Sequence, residues 1–363
     1  MNICIVSNFK QSGYGESTRP GQMAAHLKSF GHNILHICDW QGTENGIKHL
    51  HIERENWEPN VIKRLVSFTS DYTSIKLFSP DLVYAHQFNN VKWALQTKLF
   101  AGTKIVFDAH TSKYFEHIHF KADTALLELL KTQENDMCHK ADFIIAASQE
   151  TKDFFVSTYQ VKKEKIKVVG NATTIAPVTE SHPTNNQKFI CVATLPQDGF
   201  LSNEMALDML QDIALETYKH SQQIEFHVVG GGKIPKAKAP NIVYTGYVEN
   251  LRDTILNADI CLMPFPPDAV CGGARNKFCD YIALGKVVVT TTEGLRGMEV
   301  LKDEVNCVVA ETAAESSAKI CALAADKKKL ATIEKGVLQV KDYFNWKDRA
   351  RQAETIFKQL LNT

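Results

Sequence analysis

Short apolar runs recur along the first half of the chain, and segments with helical periodicity follow them. In order, these runs are NICIVS, NILHI, DLVYAH, KIVFDAH, DFIIAAS and KIKVVG. Residues 18–30 and 149–159 are two of the segments with a helical pattern. Because parallel strands need long connections, this alternation predicts an α/β domain in which crossover helices connect the strands of a parallel sheet.

Residues 171–188 interrupt the alternation with two prolines and many Ser, Thr and Asn residues, which predicts a linker. The alternation then restarts with FICVAT, a helix over 203–219, IEFHVVGGG, NIVYTG, a helix over 249–257, DICLMPF, KVVVTTT and NCVVAE. This restart predicts a second α/β domain. Met205, Met209 and Ile213 recur at helical spacing, and we expect them to pack in its core.

The length of 363 residues exceeds that of one ordinary hydrophobic core and favours two domains. We predict an N-terminal domain over 1–175 and a C-terminal domain over 186–345, with an amphipathic helix at 346–363 that returns to the first domain. In open α/β sheets, ligands bind beyond the carboxyl ends of the strands. The expected architecture is therefore two doubly wound Rossmann-like domains that face a central cleft.

Composition limits the classes of partner, membrane segment and metal site that we expect for the protein. Lys plus Arg and Asp plus Glu both number 41, so no global field favours a polyanion such as nucleic acid. No apolar run approaches the ~18 residues that a membrane span needs, and no charged leader precedes the first strand. We expect a cytoplasmic protein, with peripheral attachment to a membrane left open. The nine cysteines show no C-x-x-C spacing, which disfavours a cysteine metal site.

The loop after the first strand, NFKQSGYGESTR, is a candidate binding segment. Gly13 and Gly15 flank Tyr14 and allow the backbone to approach a ligand closely, and Arg19 begins the following helix. We predict that these four residues contact a ligand. The alternative is an ordinary surface turn.

Two histidines end strands at the same expected edge: His86 in DLVYAH and His110 in KIVFDAH. A histidine with a near-neutral pKa can donate a hydrogen bond to a hydroxyl or phosphate group. Each is as easily explained as a hydrogen-bonded structural residue. We favour His110 as the functional one because Asp108 lies beside it, and we place His86 and Asp108 among the candidate ligand contacts.

Three strand ends of the second domain carry candidate contacts to a ligand. VVGGGK has Gly231 at the centre of three glycines, YTGYVENL places Gly246 and Tyr247 after the next strand, and Thr194 ends FICVAT. Exposed backbone groups there could bind the edge of a nucleobase. A simple flexible turn is the alternative for the triple glycine.

The segment GGARNKFCDYIALGKVVVTT concentrates charge at a predicted helix start. Gly272 and Gly273 permit close approach of the backbone, and the cations of Arg275 and Lys277 lie where a helix start also presents unpaired N–H groups. A guanidinium fork and an ammonium suit a diphosphate. The segment therefore predicts an anion site for a nucleotide diphosphate.

Asp280 lies within the same predicted helix, and Asn276 lies at its start. A carboxylate repels phosphate, so we expect Asp280 to accept hydrogen bonds from a neutral diol such as ribose. The alternative is that Arg275 and Lys277 pair with Asp280 on a solvated turn.

The run 272–300 resembles the donor site of GT-B glycosyltransferases of the family-4 type, where G-x-R-x-K-x-x-E-A-x-A-x-G-x-P-V-V precedes T-x-x-G-x-x-G. Here these motifs are GARNKFCDYIALGKVVV and TTEGLRGMEV. Further segments match in order: STRPGQMAAHLKSFGHNI, KADFIIAASQETKDFF, KIKVVGNA, IEFHVVGGG, VYTGYVENL and ADICLMPF. The resemblance covers nearly the whole chain and is most specific over 272–298.

This resemblance implies the GT-B fold and retaining transfer of a sugar from a nucleotide diphosphate sugar to an acceptor hydroxyl of a glycan, lipid-linked sugar or other molecule. It implies no metal and no cofactor, and we take His110, Arg275 and Lys277 as the catalytic residues. On this resemblance, the residues that contact the acceptor or the sugar are Gly13, Tyr14, Gly15, Arg19, His86 and Asp108. The family's paired glutamates fall on Gly272 and Asp280, so the first carboxylate is absent. The usual Arg and Lys after the first strand of the second domain are also missing, and the two cations of 272–280 supply that charge.

Three other functions remain open at this point. A nucleotide-sugar epimerase or hydrolase would share the fold and release free sugar. A donor-binding protein without catalysis would be consistent with the missing glutamate at position 272. A glycosyltransferase acting on modified nucleic acid has only the basic segment GGKIPKAK in its favour, and the zero net charge argues against it.

Overall fold

A computed structural model describes residues 1–8, 18–51, 72–97, 100–119, 122–182, 184–196, 200–270 and 275–362. Five of the candidate site residues lie outside the described residues: Gly13, Tyr14, Gly15, Gly272 and Gly273. The chain divides into two compact units. Unit 1 comprises Met1–Asn171 with Trp346–Thr363, and unit 2 comprises Ala172–Asn345.

In the described part of unit 1, one sheet has the order β3-β4-β2-β1-β5-β6-β7-β8. Its strands are β1 (Asn2–Val6), β2 (Asn33–Cys38), β3 (Gly42–Glu44), β4 (Ile47–His51), β5 (Leu82–His86), β6 (Lys104–Ala109), β7 (Phe143–Ala146) and β8 (Ile166–Val168). All pairings are parallel except that of β3 with β4. β5 is buried along its whole length, as expected for an apolar run covered on both faces.

Crossover helices connect these strands. They are α1 (Thr18–Ser29), α2 (72–78), α3 (Phe88–Gln96), α4 (Lys113–His119), α5 (Thr124–Lys140) and α6 (Gln149–Tyr159). Two of these helices have a side-chain N-cap: Asp123 caps α5 and Ser148 caps α6, and each accepts a hydrogen bond from a backbone N–H group in the first turn. The bounds predicted for the helix at 149–159 are confirmed.

Unit 2 repeats the architecture with a parallel sheet of order β11-β10-β9-β12-β13-β14. Its strands are β9 (Phe189–Thr194), β10 (Ile224–Val229), β11 (Ile242–Gly246), β12 (Ile260–Met263), β13 (Val288–Thr290) and β14 (Val308–Val309). Its helices are α7 (Leu201–His220), α8 (Leu251–Leu256), α9 (Lys277–Ala283), α10 (Ala313–Ala325) and α11 (Lys327–Val340). Met209 and Ile213 of α7 lie in the core and Met205 packs against it, as predicted.

The C-terminal segment forms helix α12 (Trp346–Leu361), which packs in unit 1 against α1. Its inner face buries Phe357, whose ring centroid lies 5.4 Å from that of Tyr84. His32 Nε2 lies 2.9 Å from Glu354 Oε1 and adds a polar contact. No helix in the described ranges combines the length and the apolar character needed to cross a membrane. The predicted pair of parallel-sheet α/β domains is confirmed.

Candidate functional site

In unit 1, Arg19 is directed into the interior at the start of α1, where each nitrogen of its guanidinium donates to an oxygen. Nε donates to Asp108 Oδ2 at 2.9 Å and Nη2 donates to Oδ1 at 2.9 Å, a bidentate pair. Nη1 donates to the Gly170 carbonyl at 3.0 Å and to Asn171 Oδ1 at 3.3 Å. Arg19 therefore connects α1 to strand β6 and to Gly170 and Asn171, the last two residues of the first segment of unit 1.

Asp108 is fully buried, and its charge is compensated from two sides. Burial by itself would raise the pKa of Asp108, but the Arg19 guanidinium and the His86 ring outweigh it and hold the pKa well below its usual range. The carboxylate therefore remains ionised at every ordinary pH.

The charge of Asp108 orients the ring of His86. Its Nδ1 lies 2.8 Å from Asp108 Oδ2, and its Nε2 has no hydrogen-bond partner among the described residues although the side chain is only 4% exposed. Since the carboxylate can only accept, Nδ1 carries the proton in the neutral ring and Nε2 presents a lone pair. The pair Asp108–His86 is thus an oriented hydrogen-bond acceptor for a hydroxyl group.

His110 comes directly after β6, and its ring centroid lies 6.2 Å from that of His86. Burial lowers the pKa of His110 to about 3, and the positive charge of Arg19 acts in the same direction. The ring is therefore neutral at pH 7. Its Nδ1 atom has no hydrogen-bond partner within the part of the chain that the structure describes.

In unit 2, the predicted strand ends lie side by side at one edge of the sheet. β9, β10 and β11 are neighbours, and the N–H of Gly230 donates to the carbonyl of Gly246 at 3.0 Å. Thr194, Gly231 and Gly246 therefore share the carboxyl edge of the sheet. Gly231 faces open space, and Tyr247 is 66% exposed.

Helix α9 is fixed to this edge by a buried tyrosine. The Tyr281 hydroxyl accepts the backbone N–H of Thr194 at 2.7 Å and also bonds its side-chain hydroxyl. One residue earlier, Asp280 Oδ1 accepts the Thr173 hydroxyl at 2.5 Å. Desolvation by burial raises the pKa of Asp280 to about 6, although the Thr173 hydrogen bond acts in the opposite direction.

Arg275 is 7% exposed, and its guanidinium is held on two sides. The guanidinium carbon lies 3.4 Å from the centroid of the Phe265 ring, a cation–π contact. Nη2 donates to the Ala269 carbonyl at 2.7 Å and to Glu293 Oε1 at 3.1 Å. Glu293 also binds Arg296. The carboxylate partner of Arg275 is thus Glu293 rather than Asp280, the partner considered in the alternative interpretation of this segment.

Lys277, the first residue of α9, reaches the beginning of a different helix. Its Nζ lies 3.2 Å from Asn203 Oδ1 in the first turn of α7, which is 20 residues long. α9 has only seven residues, and the side chain of Asn276 at its start makes no capping hydrogen bond. The ammonium group therefore lies beside the N-terminus of the longer helix, where the helix dipole favours anions.

The structure groups the described candidates into two sets. Unit 1 contains Arg19, His86, Asp108 and His110, and unit 2 contains Thr194, Gly231, Gly246, Tyr247, Arg275, Asn276, Lys277 and Asp280. Sequence reasoning missed Thr173, Asn203, Tyr281 and Glu293. Of these, Tyr281 lay inside the quoted motif GARNKFCDYIALGKVVV and Glu293 inside TTEGLRGMEV, so both could have been found there. The ligand-binding roles assigned to both sets stay predictions.

Similar folds occur among solved glycosyltransferases. Sucrose-phosphate synthase from Thermosynechococcus elongatus aligns with a TM-score of 0.75 at 14% identity, over 99% of each chain. A glycosyltransferase from Rickettsia africae gives 0.72 at 17% identity, over 99% of this chain and 98% of its own. Anabaena HepE in complex with UDP-glucose gives 0.70 at 15% identity, over 98% of each chain. At these identities the likeness establishes the GT-B fold.

Family models cover most of the sequence, whereas no curated protein matches it. The model for Glycosyltransferase Family 4 matches residues 17–176, and the model for Glycosyl transferases group 1 matches residues 186–326. The first match ends and the second begins within the predicted linker at 171–188, and only residues 177–185 between them are unmatched. With both units matched in sequence and in fold, the chain belongs to the group 1 glycosyltransferases of the family-4 type.

Proposed function

We propose that this glycosyltransferase transfers a sugar from a nucleotide diphosphate sugar to an acceptor hydroxyl with retention of anomeric configuration. In this proposal unit 2 binds the donor and unit 1 supplies groups for the acceptor. The crystallised complexes of Anabaena HepE with UDP and with UDP-glucose support a nucleotide sugar as the donor class. The position of Lys277 is the observation that carries the proposal.

In this proposal Lys277 and the first turn of α7 together stabilise a diphosphate. The Lys277 Nζ lies 3.2 Å from the Asn203 amide oxygen in that turn, and α7 adds the positive end of a long helix. The neighbouring hydroxyl of Ser202 is buried and has no partner among the described residues. Phosphate oxygens satisfy both an ammonium group and an unbonded hydroxyl donor.

Arg275 has a different role in this proposal. Its Nη2 is already bound to Glu293, so much of its charge is compensated inside unit 2. We assign to Arg275 the task of holding the segment in place and to Lys277 the larger share of charge stabilisation as the diphosphate departs. Asp280, with its raised pKa, then accepts hydrogen bonds from the ribose diol, and the edge formed by Gly231 and Gly246 binds the base.

Retention follows if the acceptor hydroxyl attacks from the face that the diphosphate leaves. The departing diphosphate can then take the proton of the acceptor, so the reaction needs neither a dedicated base nor a metal ion. In unit 1, the lone pair at Nε2 of His86 is oriented by Asp108 and suits an acceptor hydroxyl, and neutral His110 can donate an N–H to a sugar hydroxyl.

The variant Lys277→Ala tests the central assignment. Loss of a well-placed donor to a developing anion reduces turnover by about a hundredfold or more. Lys219→Ala is the matched control, because Lys219 is an exposed cation at the opposite end of α7. Unchanged turnover in the Lys277 variant, with equal melting temperatures, would show that the diphosphate binds elsewhere.

A screen with UDP-, GDP-, CDP- and ADP-sugars identifies the donor. A ligand at a hundred times its dissociation constant stabilises the folded protein by about 2.7 kcal/mol, which a thermal shift detects. Products then separate the alternatives: glycosylated acceptor with retained configuration supports the proposal. Free sugar without an acceptor indicates a hydrolase or epimerase, and a thermal shift without turnover indicates a binding protein.

A further inference from the structure

Three potential metal ligands converge on one face of the unit 1 sheet. His36 and Cys38 lie two residues apart on β2, and His49 is the register partner of His36 on the adjacent parallel strand β4. Side chains two apart on a strand share a face, as do register partners. All three side chains are buried, and one ligand atom from each lies within 4.8 Å of the other two.

We propose that His36, Cys38 and His49 form a binding site for one zinc ion. Two imidazoles and one thiolate are ligands that Zn(II) prefers, whereas Mg(II) and Ca(II) require oxygen ligands. Three protein ligands leave a fourth position for water. Binding releases the thiol proton of Cys38 to solvent and forms one Zn–S and two Zn–N bonds, so no oxidant or reductant is needed.

The distances in the cluster fit this ion. Cys38 Sγ lies 3.6 Å from His49 Nδ1. Zn–S and Zn–N bonds of ordinary length, at a tetrahedral angle, also place sulfur and nitrogen about 3.6 Å apart. The widest separation in the cluster, up to 4.8 Å, has to shorten by up to about 1.2 to 1.5 Å, which side-chain rotations can provide. The Ser7 hydroxyl contacts His36 Nε2 at 2.7 Å and holds the plane of that ring, as outer partners of ligating histidines do.

A tryptophan covers the cluster and would shield a bound ion from solvent. The Trp40 ring lies edge-on to His49 with centroids 5.1 Å apart, and Cys38 Sγ contacts the Trp40 carbonyl at 3.5 Å. Gly42 permits this arrangement, because a Cβ atom there would lie 2.5 Å from the Trp40 ring. The cover predicts slow release of the metal to a chelator.

The structure also offers another explanation of the cluster, which the experiment has to separate from metal binding. The sulfur and imidazole contacts at Cys38 and His49 have the distances of weak hydrogen bonds, so the three residues could simply be polar groups satisfied inside the sheet. Cobalt(II) distinguishes the two cases, because it occupies zinc sites and gives a near-ultraviolet charge-transfer band only when a thiolate is a ligand.

The test uses the full-length protein after treatment with a chelator, titrated with Co(II) and then with Zn(II). We expect a thiolate-to-cobalt band that saturates at about one equivalent and disappears when zinc displaces cobalt. Cys38→Ala should abolish the band. Cys4→Ala is the matched control, because Cys4 is equally buried but packs in the core on the opposite face of the sheet. A wild-type protein without the band would overturn the proposal.

A second pair of variants guards against loss of folding. His49→Gln keeps a side chain that can hydrogen-bond but removes the imidazole ligand, and we expect at least a tenfold loss of cobalt affinity. His220→Gln removes an exposed histidine of unit 2 and should bind like the wild type. Equal binding in His49→Gln and wild type, or loss in His220→Gln instead, would refute the site. Because the proposed sugar transfer needs no metal, these readouts do not depend on it.

Discussion

Replacing Asp280 by Asn is expected to stabilise unit 2 at neutral pH and to weaken donor binding at the same time. Burial raises the pKa of Asp280 from 3.8 to about 6. A folded-state pKa above the unfolded value means that the protonated form is favoured by folding. The stability that the protonated Asp280 side chain contributes is therefore present below about pH 4 and is lost as the pH rises through about 6. Asparagine imitates the protonated acid and avoids this loss.

The pKa shift of Asp280 gives the expected change in the free energy of unfolding. Two pKa units correspond to about 3 kcal/mol, and because the carboxyl is only partly buried we expect about 1 to 3 kcal/mol. For a unit of this size each kcal/mol moves the melting temperature by roughly 2 to 4 °C. Asn can still accept the Thr173 hydroxyl, so the local hydrogen bond survives the substitution.

Melting temperatures of wild type and Asp280→Asn, measured from pH 4 to pH 8, test this reasoning. The difference should be near zero at pH 4, grow until about pH 6 and stay constant above. Asp268→Asn, an exposed carboxylate in the same unit, should show no such difference. A variant that melts below the wild type at pH 7, or a difference independent of pH, would refute the argument. Weaker nucleotide-sugar binding in Asp280→Asn would separate a contact to the ribose from a purely structural role.

Further substitutions probe the buried contacts. Asp108→Asn leaves the buried Arg19 charge without its counterion and should cost about 3 to 5 kcal/mol in denaturant unfolding, whereas Asp136→Asn removes a surface pair and should cost under about 1 kcal/mol. Equal costs would mean that Arg19 can find other compensation. Gly294→Ala should lower the melting temperature because the added carbon would lie 2.6 Å from a buried main-chain carbonyl oxygen, while Gly231→Ala, which faces open space, should leave it unchanged.

The fold was predictable where apolar runs are long and continuous. The segment DLVYAH is a continuous apolar run, and it forms the strand β5, which is buried along its whole length. The segment beginning at Trp346 has a clear helical period and forms α12. The strands β3 and β4 were missed. β3 is the edge strand and has only three residues, and exposed Lys48 and His51 interrupt the apolar pattern of β4, the next strand of the sheet. Neither strand therefore presents the continuous apolar run on which the prediction of strands depended.

The missed strands explain why the expectation of no cysteine metal site overlooked His36, Cys38 and His49. That expectation rested on spacing along the chain, and the cluster depends on the pairing of β2 with β4, which brings residues 36 and 49 together across strands.

The same limit applies to the arginines of the predicted site. Arg19 and Asp108 are 89 residues apart, and Arg275 and Glu293 are 18 residues apart, so only the fold reveals that each cation meets a buried carboxylate. A cation in a suggestive motif therefore predicts a charge near the site. How much of that charge reaches a ligand depends on the tertiary partner. A variant of either arginine would also remove a counterion from a buried carboxylate, so the Lys277 variant is the sharper test of diphosphate binding.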